Sequence, residues 1–219
     1  MPGRGRPRQF DRTAALRTAM ELFWTHGYAG TSVSLLSNAI GITSTSLYAA
    51  FGSKEAIFRE AVELYNASGT TSPTDNALTA PSARQAVESM LRDNAEAYLH
   101  PSTPPGCMVV LSGLNLPPGE ERISHHLTEC RGEVYDKVLH RLEQGVADGD
   151  LPPEADTTTM ASYYVTVLHG LSIQARDGCT RATAHAVIDG AMLAWEGLAH
   201  GRHDVGDGEH VPRTDQGTA

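Results

Sequence analysis

Residues 27–55 read GYAGTSVSLLSNAIGITSTSLYAAFGSKE, and the fold of the N-terminal part follows from this stretch. Thr31 or Ser32 can cap a short helix carrying Val33, Leu35, Leu36, Ala39 and Ile40, because a hydroxyl there accepts from an orphaned amide of the first turn. Gly41 allows the sharp turn that ends it. A further short helix runs from about Ser44 to Ala50, with Leu47 and Phe51 four apart on one side and small or polar residues facing outward. Two short helices across a tight glycine turn make a helix-turn-helix.

Upstream, Asp11 is a helix cap, and Leu16, Ala19, Met20 and Phe23 fall at i, i+3, i+4 and i+7 on a helix that stops near Gly27. Downstream, Ser53 caps a helix whose inward stripe is Ala56, Ile57, Ala61, Val62, Leu64 and Tyr65. Met1 to Gln9 is a Gly, Pro and Arg arm expected to be mobile without a partner, and Ala67 to Pro81 has loop composition. Beyond it, helical segments are expected at about Ala83–Leu99, Gly106–Gly113, Gly119–Asp148, Asp156–Asp177 and Arg181–His200, punctuated by Pro104, Pro105, Pro117, Pro118, Pro152 and Pro153. After Gly201 almost nothing is apolar, so residues 201–219 read as a disordered tail. The fold class is all-α, with a basic arm at 1–9, a three-helix helix-turn-helix domain at 10–66 and a second helical domain at 82–200.

With 40% hydrophobic residues the chain can bury a core, and its net charge of -9 argues against a nucleic-acid partner only if the charge is evenly spread. It is not. Arg4, Arg6, Arg8, Arg12, Arg17, Lys54 and Arg59 stand against Asp11, Glu21, Glu55, Glu60 and Glu63 up to Tyr65, a balance of +2, so the remainder carries -11. A basic head on an acidic body suits a protein that grips an anionic polymer at one end. Cys107, Cys130 and Cys179 are odd in number and widely spaced, which is neither a disulfide framework nor a zinc pattern. With no apolar run of about 20 residues and no signal peptide, a cytoplasmic location is expected. No phosphate-binding glycine loop, dinucleotide fingerprint or nucleophile elbow occurs, so an enzyme is not expected and no cofactor is called for.

Gly27 to Val33, Ala39 to Ile42 and Ser46 to Glu55 together resemble the DNA-binding domain of the TetR/AcrR family of transcription regulators, over about Phe10 to Tyr65. The resemblance implies that the third helix lies in the major groove, with Thr43, Ser44, Thr45, Ser46, Tyr48 and Ala49 toward the DNA. Thr31 and Lys54 stand at helix starts, where amides favour an anion. Ala49 departs from the larger polar residue of many relatives, leaving an apolar contact with a thymine methyl as a substitute. Arg4, Arg6 and Arg8 can add contacts in an adjacent minor groove and serve affinity more than base choice.

By the same resemblance, residues 82–200 form a regulatory and dimerisation domain, whose last two long helices pair with their copies in a homodimer, with Val165, Leu168, Leu171, Ile173, Val187, Ala191, Leu193, Ala194 and Leu198 supplying apolar surface for both core and seam. Gly170 and Gly190 would permit close helix approach. A small-molecule effector cavity is implied, for which bulk with a soft or polar handle nominates Met90, Tyr98, Met108, Leu111, His126, Tyr164 and Trp195. The partners are thus a double-stranded operator, a second copy and an effector, and the function is that of a repressor released from a palindromic operator. Two alternatives stay open. Cys107, at a predicted helix start, or the group His125, His126, Glu129 and Cys130 can make a redox- or metal-responsive regulator, although no third metal ligand is evident and the neighbours of Cys107 favour a buried, inert thiol. A helical protein-interaction module without DNA binding is the alternative of another class.

Overall fold

The structure, a computed structural model, describes residues 11–68, 73–114 and 116–200. The arm with Arg4, Arg6 and Arg8 and the tail from residue 201 lie outside the described residues. Among those described there are helices and no strands.

Helix α1 spans Arg12–Gly30, capped by the Asp11 carboxylate accepting from the Ala14 amide at 3.0 Å. Gly27 interrupts it at φ 70, a left-handed value that glycine adopts at little cost. Helix α2 (Val33–Ile40) starts at Ser32, whose hydroxyl accepts from the Leu35 amide at 3.0 Å, and ends at Gly41 in the left-handed conformation. Helix α3 (Ser44–Phe51) starts at Thr43, and α4 (Lys54–Ala67) at Ser53. Leu36, Leu47, Phe51, Ile57 and Phe58 meet Phe23 of α1 in one buried cluster. Phe23, Tyr28 and Phe58 stack around one another, the edge-on pairs with Phe58 having centroids 5.0 Å apart. Arg12 locks the open side, bonding Glu60 at 2.7 Å while its guanidinium covers the Phe51 ring at 4.5 Å.

The rest is a helical layer of α5 (Thr74–Ala77), α6 (Ala83–Tyr98), α7 (Met108–Leu111), α8 (Glu121–Ala147), α9 (Thr157–Arg176), α10 (Arg181–Leu193) and α11 (Trp195–Ala199). Helices α6, α8, α9 and α10 bury Val87, Met90, Leu91, Leu142, Tyr164, Leu168 and Ile188 between them. Three details differ from the sequence reading. The segment at 106–113 is helical only over Met108–Leu111, and the last segment breaks at Ala194. The loop after α4 contains α5, which is held because the Asn94 amide donates to Thr74 Oγ1 at 3.0 Å inside the protein.

The two sets of helices are bonded together. Trp24 Nε1 donates to the Gly106 carbonyl at 2.9 Å, Ser112 Oγ to the Phe23 carbonyl at 3.3 Å, and Arg176, at the end of α9, to the carbonyls of Trp24 and Thr25 at 3.3 and 2.5 Å. Met108, Val109, Ile123 and Leu127 join the apolar cluster of α1 and α4. A shift at the Gly106 turn or at α9 therefore bears directly on α1.

Candidate functional site

The outward face of α3 is a surface of short hydroxyls. Leu47 and Phe51 anchor the helix from below, which leaves Thr43, Ser44, Thr45, Ser46, Tyr48 and Ala49 exposed on its other side. Thr43 Oγ1 accepts from the Ser46 amide at 3.1 Å and lies 2.9 Å from Ser46 Oγ, while Ser44 Oγ is 3.1 Å from Ser37 Oγ of α2. These bonds fix the start of α3 and hold its hydroxyls in place. Tyr48 is 45% exposed and projects from the same face.

Lys54 stands in the first turn of α4, with Nζ 4.1 Å above the Tyr28 ring. Burial lowers its pKa and Glu120 acts the other way. Tyr28 is itself pushed up to about 12 by burial, then by Glu120 and by Glu55. The ammonium is held over that ring two residues after Gly52, which ends α3.

Thr31 corrects the sequence reading. It is fully buried, and its hydroxyl donates to the Gly27 carbonyl at 2.8 Å and reaches the Leu22 carbonyl at 3.3 Å, so its side chain faces α1 rather than a phosphate. Ser32 is the cap.

A cavity of about 170 Å³ lies where α4, α5, α6, α7, α8 and α9 converge with the turn before α7. Tyr65, Tyr98 and Cys107 line it together with Val109, Leu168 and His169. Tyr65 from α4, Tyr98 from the end of α6 and Cys107 stand together on its wall. Burial pushes both phenols well above their ordinary value, and it pushes the Cys107 thiol up as well, against the opposing pull of nearby amides and of the two hydroxyls. Cys107 precedes α7, but four residues make a weak dipole and burial dominates, so the thiol is not activated.

Of the seven lining residues expected from sequence, Tyr98 alone borders this cavity. Met90, Met108 and Tyr164 fill the core, and Leu111 borders a small cleft against Trp24 and Arg176. Trp195 lines a groove at the opposite end of the bundle, beside the start of α6 and the end of α8. His126 faces α4, its Nε2 buried without a hydrogen-bond partner. Bulk nominates core residues; the sequence signals missed were polar ones, Asn94 within the buried stripe of α6 and His169 on α9. The metal alternative finds no geometry: among the described residues no three His, Cys, Asp or Glu side chains gather, and His125 pairs with Glu129 at 3.2 Å on the surface.

His126 and His169 titrate below the usual imidazole range. Burial lowers both, helped at His126 by Arg59 and opposed by Glu129, Glu63 and Glu133, and helped at His169 by Arg131. A folded state that binds these protons less readily than the unfolded chain has its full stability above about pH 6.5 and loses it as pH falls below that value. The melting temperature is therefore expected to drop between about pH 7 and pH 5.5, and to drop less in a His126→Gln, His169→Gln double variant. An unchanged slope in that variant would assign the acid sensitivity elsewhere.

Comparison with known proteins agrees with this architecture. A family model described as bacterial regulatory proteins, tetR family, matches residues 15–61, which is α1 through most of α4. The HTH-type transcriptional repressor ComR of Escherichia coli (strain K12) is 33% identical over 205 residues, covering 89% of this chain and 93% of ComR. The chain belongs to the TetR family. It is a DNA-binding transcription regulator, and its relatives are regulators rather than enzymes. The HTH-type transcriptional repressor BdcR of the same organism is 28% identical over 176 residues, or 80% of this chain and 83% of BdcR. Among solved structures, the TetR family transcriptional regulator CifR, as a cysteine mutant complexed with 26 bp double-strand operator DNA, superposes with a TM-score of 0.82 at 43% identity, covering 87% of this chain and all of that one. No helix among the described residues is long and apolar enough to cross a membrane.

Proposed function

We propose that this TetR-family chain acts as a homodimeric repressor that places two copies of α3 in successive major grooves of a pseudo-palindromic operator and releases it when a small molecule enters the cavity at Tyr65, Tyr98 and Cys107. The observation that carries the reading is the exposed hydroxyl face of α3, with Tyr48 projecting from it and Lys54 at its flank. In this reading Thr45, Ser46 and Ala49 meet base edges, while Tyr48 and Lys54 hold phosphates. Thr43 and Ser44 set the start of the helix and flank the backbone. Arg4, Arg6 and Arg8 add the sequence-independent attraction of a basic arm. The divisions at 10–66 and 82–200 then separate a reader from a sensor. Release follows from the bonds of Trp24 and Arg176, which join α1 to the walls of the cavity.

Selection of bound genomic fragments by the purified protein, followed by titration of the recovered sequence, tests this. A palindrome is expected, with affinity falling by roughly threefold to tenfold in Tyr48→Phe and in Lys54→Ala. Affinity should also fall with salt, at a log–log slope of about -0.9 per phosphate neutralised. Recovery of no sequence above background from folded dimer at low salt would sink the operator reading, and a flat salt dependence would point to a protein partner instead.

A further inference from the structure

The chemistry of the cavity narrows what it can hold, on the reading that this cavity receives the effector. We infer that its ligand is a small uncharged molecule with a hydrogen-bond-accepting oxygen on a compact hydrocarbon frame, the oxygen accepting from the Tyr65 and Tyr98 hydroxyls beside the Cys107 sulfur. Two phenols, one from α4 and one from the end of α6, border the cavity beside the Cys107 sulfur. A thiol sulfur is a weak acceptor, so either donor makes a poorer bond to it than to a carbonyl, ether or alcohol oxygen. An incoming oxygen at that point gains two better bonds, and both phenols stay protonated donors throughout the physiological range because burial holds their pKa high.

Negative charge is excluded by what surrounds that point, and of the two carboxylates on the lining Asp75 is paired with Lys137 and Glu133 stands exposed at the rim. The phenols and the thiol are neutral, and His169, depressed by burial, is uncharged at neutral pH. Both cations at the rim are engaged: Lys137 Nζ bonds Asp75 at 2.7 Å, and Arg131 bonds Thr128 Oγ1 at 3.1 Å and reaches the Val109 carbonyl at 3.5 Å. A carboxylate ligand would give up its hydration with no cation on the floor to replace it. Val109, Val110, Val134 and Leu168 give the cavity an apolar side, while Thr74 and Asn94, which bond each other, give it a polar one. Size sets the frame, since an apolar cavity of about 150 Å³ holds benzene, and this one, at about 170 Å³, admits one ring with a short substituent and not a long acyl chain.

Occupancy bears on the reader through two covalent neighbours of the same contacts. Tyr65 belongs to α4 and packs edge-on against Trp24, with ring centroids 4.9 Å apart. Cys107 follows Gly106, whose carbonyl accepts from Trp24 Nε1. Drawing both hydroxyls onto a ligand therefore acts on α1 and α4 together.

The test is calorimetric titration of the full-length protein with a matched panel: cyclopentyl, cyclohexyl and phenyl frames, each bearing a methyl ketone, a carboxylate or an ethyl group. At least one methyl ketone is expected to bind about tenfold or more tightly than its own carboxylate and ethyl counterparts. That preference should shrink to within about threefold in Tyr65→Phe and in Tyr98→Phe, and persist in Cys107→Ala, where the competing sulfur is gone. The carbonyl carbon of the ¹³C-labelled ketone should shift downfield on binding to the wild-type protein, a readout that needs no variant to fold. Ketones no tighter than their counterparts in every frame, or a preference that survives both phenylalanine variants, would overturn the inference. At saturation the ketone is expected to lower operator affinity by about fivefold or more. Ketone binding with the tyrosine dependence but no change in operator affinity would overturn the effector role while leaving the ligand chemistry standing, and operator binding by the unliganded protein is judged separately by fragment selection.

Discussion

Replacing Leu193 with arginine is expected to turn a dimer into a monomer and to lower operator affinity by at least about a hundredfold, the order of the avidity gained when two half-site readers are joined. The expectation starts from what the single chain leaves in water. Leu193 is 85% exposed, Val187 46% and Ile173 40%, although α9 and α10 bury their other faces in the core. Val187, Gly190 and Leu193 follow one another at steps of three along α10, forming one slowly drifting stripe. A Cβ built at Gly170 or Gly190 would meet nothing within 4 Å, so the space in front of these glycines is open to a second pair of helices. Covering Leu193 gains roughly 1.5–3 kcal/mol per protomer, and a two-fold axis counts it twice. An arginine in its place forfeits that gain and buries an unpaired charge, which is costlier still. Light scattering coupled to gel filtration measures the state, and circular dichroism should show the helices intact, because Leu193 contributes little to the core of its own chain. A Leu193→Arg protein that stays dimeric and keeps its operator affinity would move the seam away from α10.

What the sequence disclosed of this molecule divides by range. Caps and turns are local, so Ser32, Gly41 and Ser53 mark their helices in the chain as they do in space, and Thr43, read only as a DNA-facing residue, caps α3 as well. The two faces of α3 follow from the spacing of Leu47 and Phe51 alone. Thr31 misled because the same local chemistry that makes a cap also makes a buried hydroxyl. The break at Gly27 turns two carbonyls of α1 toward Thr31, and nothing within its own helix start reveals this. The cavity was hidden for the opposite reason, since its walls come from six helices far apart in sequence. Large side chains such as Met90 and Tyr164 are drawn into the densest packing, whereas the border of the cavity includes smaller or polar groups: Asn94, Cys107 and His169. A polar residue in a buried stripe was the better pointer than a bulky one.

Gly106→Ala is expected to be among the most damaging single-methyl changes in the chain, by about 3 kcal/mol or more, from strain at a left-handed residue together with overpacking. Gly106 has φ 80, and a Cβ there would lie 2.6 Å from the Ser172 carbonyl oxygen and 2.6 Å from Leu111 Cδ1. The leucine end can swing aside; the carbonyl belongs to α9 and cannot move without it. Around this residue the backbone is fixed on every side, with the Gly106 amide donating to the Tyr98 carbonyl at 3.0 Å, the Cys107 amide to Ser172 Oγ at 2.8 Å, and Trp24 Nε1 to the Gly106 carbonyl. For a protein of this size the melting temperature should fall by roughly 6–12 °C. Gly149→Ala separates the two contributions, because Gly149 shares the left-handed backbone, at φ 77, but has open space where the methyl would go. It should show the conformational cost alone, about 1 kcal/mol. Equal melting temperatures for the two variants would mean that α9 yields to the methyl, and the rigid connection from the cavity to Trp24 would then be lost as an account of how the reader is moved. A large difference, accompanied by weaker operator binding well below the melting point, would place that connection at the Gly106 turn.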